Sequence, residues 1–190
     1  MSDLDEFREI VRLFCDHAIV ATRRYWILTD WGGKSGPEYF IKARITDRLG
    51  KRIPMNLEIP MSKIWEWYGE GKRKPTNLRG TPDFVIYRPD PDNPTSKNKE
   101  YFHLRGFIEV KRNSNVTADY DKLKRMLRYF PDCFGAAIGI VKRPDEDWWF
   151  DEEAKKEGLK LVLGQQKTIE KGKTFQAFGY ILEPRSRATA

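Results

Sequence analysis

Three ionisable residues stand where this chain otherwise reads as apolar strand. Asp83 opens the run Phe84-Val85-Ile86-Tyr87, and Glu109 and Lys111 interrupt the run Phe107-Ile108-Glu109-Val110-Lys111. β-branched and aromatic residues bounded by turn formers predict two short buried strands. Residues 88–100 between them carry three prolines and many polar side chains, which predicts a long hairpin loop. Burying an unpaired charge costs on the order of several kcal/mol, so such positions call for a partner or a task. Side chains two apart on a strand share a face, so Glu109 and Lys111 point together while Ile108 and Val110 point into the opposite layer. If the strands pair as a hairpin, Asp83 joins them. Two converging carboxylates repel, and a hard divalent cation relieves the repulsion; oxygen donors suit Mg²⁺ or Mn²⁺. A lysine beside them can orient water and offset charge on a phosphate.

Pro82-Asp83, followed after 25 intervening residues by Glu109-Val110-Lys111, resembles the signature of the PD-(D/E)XK nuclease superfamily, whose fold is called restriction-endonuclease-like. The resemblance implies an α/β core of helix, three strands, helix, strand, and metal-dependent hydrolysis of phosphodiester bonds. It implies catalytic roles for Asp83, Glu109 and Lys111. Mg²⁺ (or Mn²⁺) would then be bound by Asp83, Glu109 and the carbonyl of Val110. It also implies a further acid on an upstream helix. Glu6 matches best by position, with Glu9 and Glu38 as alternatives and His17 as another conceivable ligand.

Composition agrees with an anionic partner. Lys and Arg outnumber Asp and Glu by 35 to 28, for a net charge of +7 and a pI near 9.3, which favours nucleic acid, DNA ahead of RNA. Lys72, Arg73, Lys74 and Arg79 form a basic loop that feeds into Pro82-Asp83, and Arg112 follows Lys111; these are the expected phosphate contacts. Two cysteines, Cys15 and Cys133, flanked by apolar residues, exclude a four-ligand zinc site of the usual type and a four-cysteine cluster, and they fit a reduced, cytoplasmic protein. No apolar run approaches the roughly 20 residues of a membrane span and no signal peptide opens the chain, so no membrane association is expected. Gly33-Lys34-Ser35 lacks the glycine that would make it a nucleotide-binding loop.

The remaining elements must position that trio. Leu4 to about Ala21 predicts an amphipathic helix capped by Ser2 or Asp3. Arg24 to Thr29 reads as a short strand. Alternation of Tyr39, Ile41, Ala43 and Ile45, then of Ile53, Met55, Leu57 and Ile59 across a Gly50 turn, predicts a β-hairpin added to the core. A helix opened by Pro37-Glu38 is the rival. Ser62 to Tyr68 predicts a helix capped by Ser62, and Ala118 to Tyr129 one capped by Thr117, with Lys122, Lys124, Arg125 and Arg128 on its polar surface. Phe134 to Val141 reads as a buried strand, 145–157 as a helix, and Leu159 to Gly164 and Thr174 to Leu182 as two C-terminal strands. A single domain over 1–183 with a loose tail at 184–190 is expected. The quaternary state stays open between a homodimer and a larger protein assembly.

Overall fold

A computed structural model describes residues 2–28, 37–69, 74–90, 92, 102–111, 116–142, 159–170 and 173–184. The elements in chain order are α1 (Asp3–Leu28), α2 (Pro37–Leu49), β1 (Met55–Leu57), α3 (Met61–Tyr68), β2 (Phe84–Pro89), β3 (Phe102–Val110), α4 (Thr117–Leu127), β4 (Phe134–Lys142), β5 (Lys160–Glu170) and β6 (Lys173–Leu182). They build an α/β fold on one mixed six-stranded sheet of order β1-β2-β3-β4-β6-β5. β3 and β4 run parallel, joined through α4, and every other pair is antiparallel.

Strand alternation divides the core into two layers. Phe84, Ile86, Ile108, Val110, Ala136 and Ile138 face α1 and α2, while Val85, Tyr87, Phe107, Ala137, Phe178 and Tyr180 face α3 and α4. Glu109, alternating with Ile108 and Val110, falls on the α4 side.

α1 starts with a reciprocal cap: the Asp5 N–H donates to Ser2 Oγ (3.2 Å), and Ser2 N–H donates to Asp5 Oδ2 (3.2 Å). Its buried stripe is Phe7, Val11, Phe14, Ala18 and Ile19. The stripe continues through Ala21, Thr22 and Tyr25, so the short strand expected at Arg24–Thr29 is instead the last turns of α1 as far as Leu28. Aromatic and β-branched residues there favour a strand locally. Helical spacing against the sheet overrides that preference.

The added β-hairpin is also absent. Residues 37–49 form α2, because Ile41, Ile45 and Leu49 satisfy a helical period as well as a strand period and bury against α1, leaving Tyr39 and Ala43 exposed. Tyr25 and Phe40 meet across the two helices at 5.6 Å between ring centroids. Only Met55–Leu57 survives of the second hairpin arm, and it pairs with β2 rather than with residues 39–46. The caps expected from Ser62 and Thr117 give way to Pro60 and Val116, neither of which makes a side-chain cap hydrogen bond. Residues 31–36 of the expected loop at 31–37, the helix expected at 145–157 and tail residues 185–190 lie outside the described residues.

α1 presses onto β6 so closely that Gly179 has no room for a side chain: a Cβ there would lie 2.6 Å from Val11 Cγ1. Val11 is stiff and fully buried, so it cannot yield cheaply. Gly179→Ala is expected to destabilise the fold by about 1–3 kcal/mol through overpacking, measured as a lower denaturant midpoint with an unchanged slope.

Candidate functional site

β2 and β3 pair with Phe84 opposite Ile108, which brings Asp83, one residue before β2, beside Glu109 near the end of β3. Asp83 is 8% exposed and wedged between elements. Its Oδ2 accepts a hydrogen bond from the Val110 N–H (2.8 Å) and its Oδ1 one from Lys42 Nζ (3.1 Å). Gly80, at φ 112°, makes the turn that delivers Pro82 and Asp83, and its carbonyl accepts the Met61 N–H at 3.0 Å. Glu109 is 1% exposed under α4, with Lys122 Nζ 2.7 Å from Oε1. Lys111 lies just beyond the strand, where its N–H donates to the Ile138 carbonyl (2.8 Å). Its ammonium sits 3.3 Å from Glu38 Oε1 and 3.6 Å from Asp119 Oδ1.

All of this gathers at the carboxyl end of the parallel pair β3 and β4, the place where open α/β sheets leave a crevice. α2 contributes Glu38 and Lys42, four residues apart on one helix face. α4 contributes Asp119 from its first turn and Lys122 three residues on. Glu58 completes the ring. It adopts φ 49°, a conformation rare for a side-chain-bearing residue, which sets its N–H on the Asp83 carbonyl (3.1 Å) and its carboxylate on Lys42.

Glu6 does not join this cluster. It pairs with Arg105 at 2.7 Å, four residues upstream of Glu109, and Arg105 also donates to the Asp3 carbonyl. The upstream acid gathered with Lys111 is Glu38. Glu9 is engaged by Arg12 on the surface of α1, and His17 is held below the usual imidazole range by burial, with Arg48 and Arg52 adding to it. Of the expected phosphate contacts, Lys74 and Arg79 are exposed on the segment leading to Asp83; Lys72, Arg73 and Arg112 lie outside the described residues.

Lys42, Glu58, Asp119 and Lys122 went unread in the sequence. Lys42 could be found only once residues 37–49 were taken as a helix, where it stands one turn from Glu38. Asp119 and Lys122 look like ordinary solvated helix charges, and only the docking of α4 over β3 covers them.

The site's electrostatics follow from that crowding. Five carboxylates (Glu38, Glu58, Asp83, Glu109, Asp119) face three ammonium groups (Lys42, Lys111, Lys122), an excess of two negative charges when all are ionised. Burial, then the charge of Asp83, pushes the Glu109 carboxyl up to about 8, with Lys122 pulling the other way. Burial also raises Asp119, helped by Asp83 and Glu38 and opposed by Lys111 and Lys122. Burial works against the charge on Lys42, but Glu58 and Asp83 outweigh it and hold its ammonium well above the usual range. At Lys111, too, burial opposes the charge, and Asp119 and Glu38 outweigh it and raise the ammonium.

Among the described residues, no three His, Cys, Asp or Glu side chains converge closely enough, as they stand, to hold a metal ion. The donor chemistry nonetheless fits a hard cation. Every donor is an oxygen, the surplus charge is negative, Glu109 Oε1 has only the Lys122 ammonium beside it, and Asp119 Oδ2 is buried without a hydrogen bond. Among the described residues, no helix is long and apolar enough to cross a membrane. No family model, no curated protein and no solved structure matches the chain.

Proposed function

We propose that this chain is a metal-dependent nuclease of the PD-(D/E)XK type, hydrolysing phosphodiester bonds in nucleic acid, with DNA favoured over RNA. The observation that carries the reading is the meeting of Asp83 and Glu109 on neighbouring strands, with Lys111 two residues beyond Glu109. The order α1, β1, β2, β3, α4, β4 supports a restriction-endonuclease-like core, with α2 and α3 inserted and β5 and β6 appended.

Mg²⁺ or Mn²⁺ would be held by Asp83, Glu109 and the Val110 carbonyl, with Glu38 taking the supporting place expected of Glu6. Bound there, the ion would supply Lewis acidity toward a phosphate oxygen and make water a nucleophile near neutral pH. The chain's own residues do the remaining work. Val110 N–H fixes the orientation of the Asp83 carboxylate, so the acid needs no reordering when substrate arrives. Glu38 and Asp119 hold the Lys111 ammonium charged and in place, ready to orient the attacking water and offset charge on the phosphate. Lys74 and Arg79, with Lys72, Arg73 and Arg112, anchor flanking phosphates.

Glu38→Gln is expected to slow cleavage by about 10–100-fold, the usual cost of losing a group that orients the reacting ones. Glu6→Gln is expected to leave the rate unchanged and to lower stability by about 1 kcal/mol or less, since it breaks a partly exposed pair. Single-turnover rates of the two proteins side by side check the first two effects, and urea unfolding of Glu6→Gln checks the third.

One observation favours a second reading. Lys42 and Lys122 already neutralise Asp83 and Glu109 without any added ion, which suits a nucleic-acid-binding subunit of a larger defence or repair assembly that does not cut. Incubating the protein with supercoiled plasmid, single-stranded DNA and RNA, in Mg²⁺ or Mn²⁺ against chelator, separates the two. Metal-dependent cleavage supports the nuclease; salt-sensitive binding with intact substrate supports the binder.

A further inference from the structure

The pairing of Glu109 with Lys122 is lopsided. The Glu109 side chain is 2% exposed and cannot reach water, whereas that of Lys122 is 26% exposed and can withdraw along the surface of α4. The ammonium, 2.7 Å away, is the partner of Glu109 Oε1, and among the described residues no other donor reaches that oxygen. A carboxylate fixed for the fold alone would be expected to have well-aligned donors, because a buried acceptor left unsatisfied is costly. One turn earlier on α4, Asp119 repeats the pattern: its side chain is 8% exposed, its Oδ2 lacks a donor, and Lys111 stands 3.6 Å from its other oxygen. Both α4 residues lie on the surface that covers β3, and neither belongs to the Pro-Asp and Glu-X-Lys pattern.

We propose that Lys122 is the exchangeable counter-ion of Glu109: its ammonium holds the ionised form of the buried carboxylate in the cation-free protein, and a divalent ion entering the site displaces it toward the solvent side of α4. Lys122 is thus a positioning residue that sets how tightly the site takes its ion. The inference rests on the metal-dependent reading of the site. It goes beyond that reading in naming the group the ion must evict. A lysine with a merely structural role would do the opposite, since its loss would loosen the site and weaken ion binding.

The test is a calorimetric titration of the full chain with Mg²⁺ at several pH values from about 8 to 9.5, compared where affinity no longer changes with pH, because losing Lys122 raises the Glu109 carboxyl further. Lys122→Gln is expected to bind Mg²⁺ about tenfold tighter than wild type, because a unit-charge competitor has gone, while Lys122→Arg binds no tighter. If glutamine impairs folding, Lys122→Met keeps the packed stem and is read the same way. Equal or weaker Mg²⁺ binding by the uncharged variants overturns the proposal, and so does a lack of binding in every protein. The nuclease reading survives the first of these results if wild type still cleaves, and falls if wild type neither binds Mg²⁺ nor cleaves.

Discussion

Asp83→Asn and Glu109→Gln are each expected to lower the cleavage rate by about 10²–10³-fold while leaving the fold intact. Each substitution keeps the shape of the side chain and removes one negative charge from the pair that would hold the ion. Groups that stabilise charge as it develops carry effects of this size, because they act in a site where water does not compete. Neither change should unfold the protein. Asn can still accept the Val110 N–H that Asp83 binds, and Gln at 109 removes a buried charge whose Oε1 has only the partly exposed Lys122 as partner. Single-turnover assays at saturating Mg²⁺, with circular dichroism to check folding, make the measurement. Rates within tenfold of wild type in both variants would break the assignment.

The second large effect concerns pH. The Glu109 carboxyl, ordinarily near 4.5, is pushed up to about 8 by burial and by the charge of Asp83. In the cation-free protein the folded state therefore keeps a proton that the unfolded chain releases above about pH 4.5. Stability from this group is fully present below the unfolded value and is lost as pH rises toward 8. A shift of that size corresponds to roughly 4–5 kcal/mol as an upper scale, or roughly 10–20 °C in the melting midpoint of a domain this large. Asp119, also raised, adds in the same direction. Glu109→Gln should remove most of the decline, so that its midpoint overtakes that of wild type by pH 8. Melting curves at pH 5, 7 and 9 in chelator test this. A wild-type midpoint that rises between pH 5 and 8, or a Gln variant that declines as steeply, would refute it. Saturating Mg²⁺ should flatten the wild-type curve, because an ion that needs the ionised carboxylate strengthens as the proton leaves.

The positions of Asp83, Glu109 and Lys111 were legible because they depend on short-range rules: a period of two along β3 and a hairpin between β2 and β3. The same holds for α4, β4 and β6, where periodicity and length agree, whereas β5 runs on to Glu170, well past the Gly164 at which the sequence pattern ends it. Residues 37–49 were misread because Ile41 and Ile45 fit both a strand alternation and a helical step of four. Burial against α1 decides between them in favour of the rival helix that Pro37-Glu38 opens, a local signal that the alternation outweighs in the sequence. Glu6 looked right for the upstream acid until Arg105, 99 residues later, claimed it. Asp119 and Lys122 are hidden for a related reason. Charges on a helix surface read as solvated unless the packing of that helix is known, and here α4 lays them over the end of β3.

The central claim is that Asp83 and Glu109 share one hard cation, and Mg²⁺ calorimetry at pH 7 in two buffers of different ionisation heat tests it most directly. Wild type should bind the ion and release about one proton as Glu109 ionises. The Asp83→Asn/Glu109→Gln double variant should give no heat. Binding without proton release, or a double variant that binds as tightly as wild type, would contradict it.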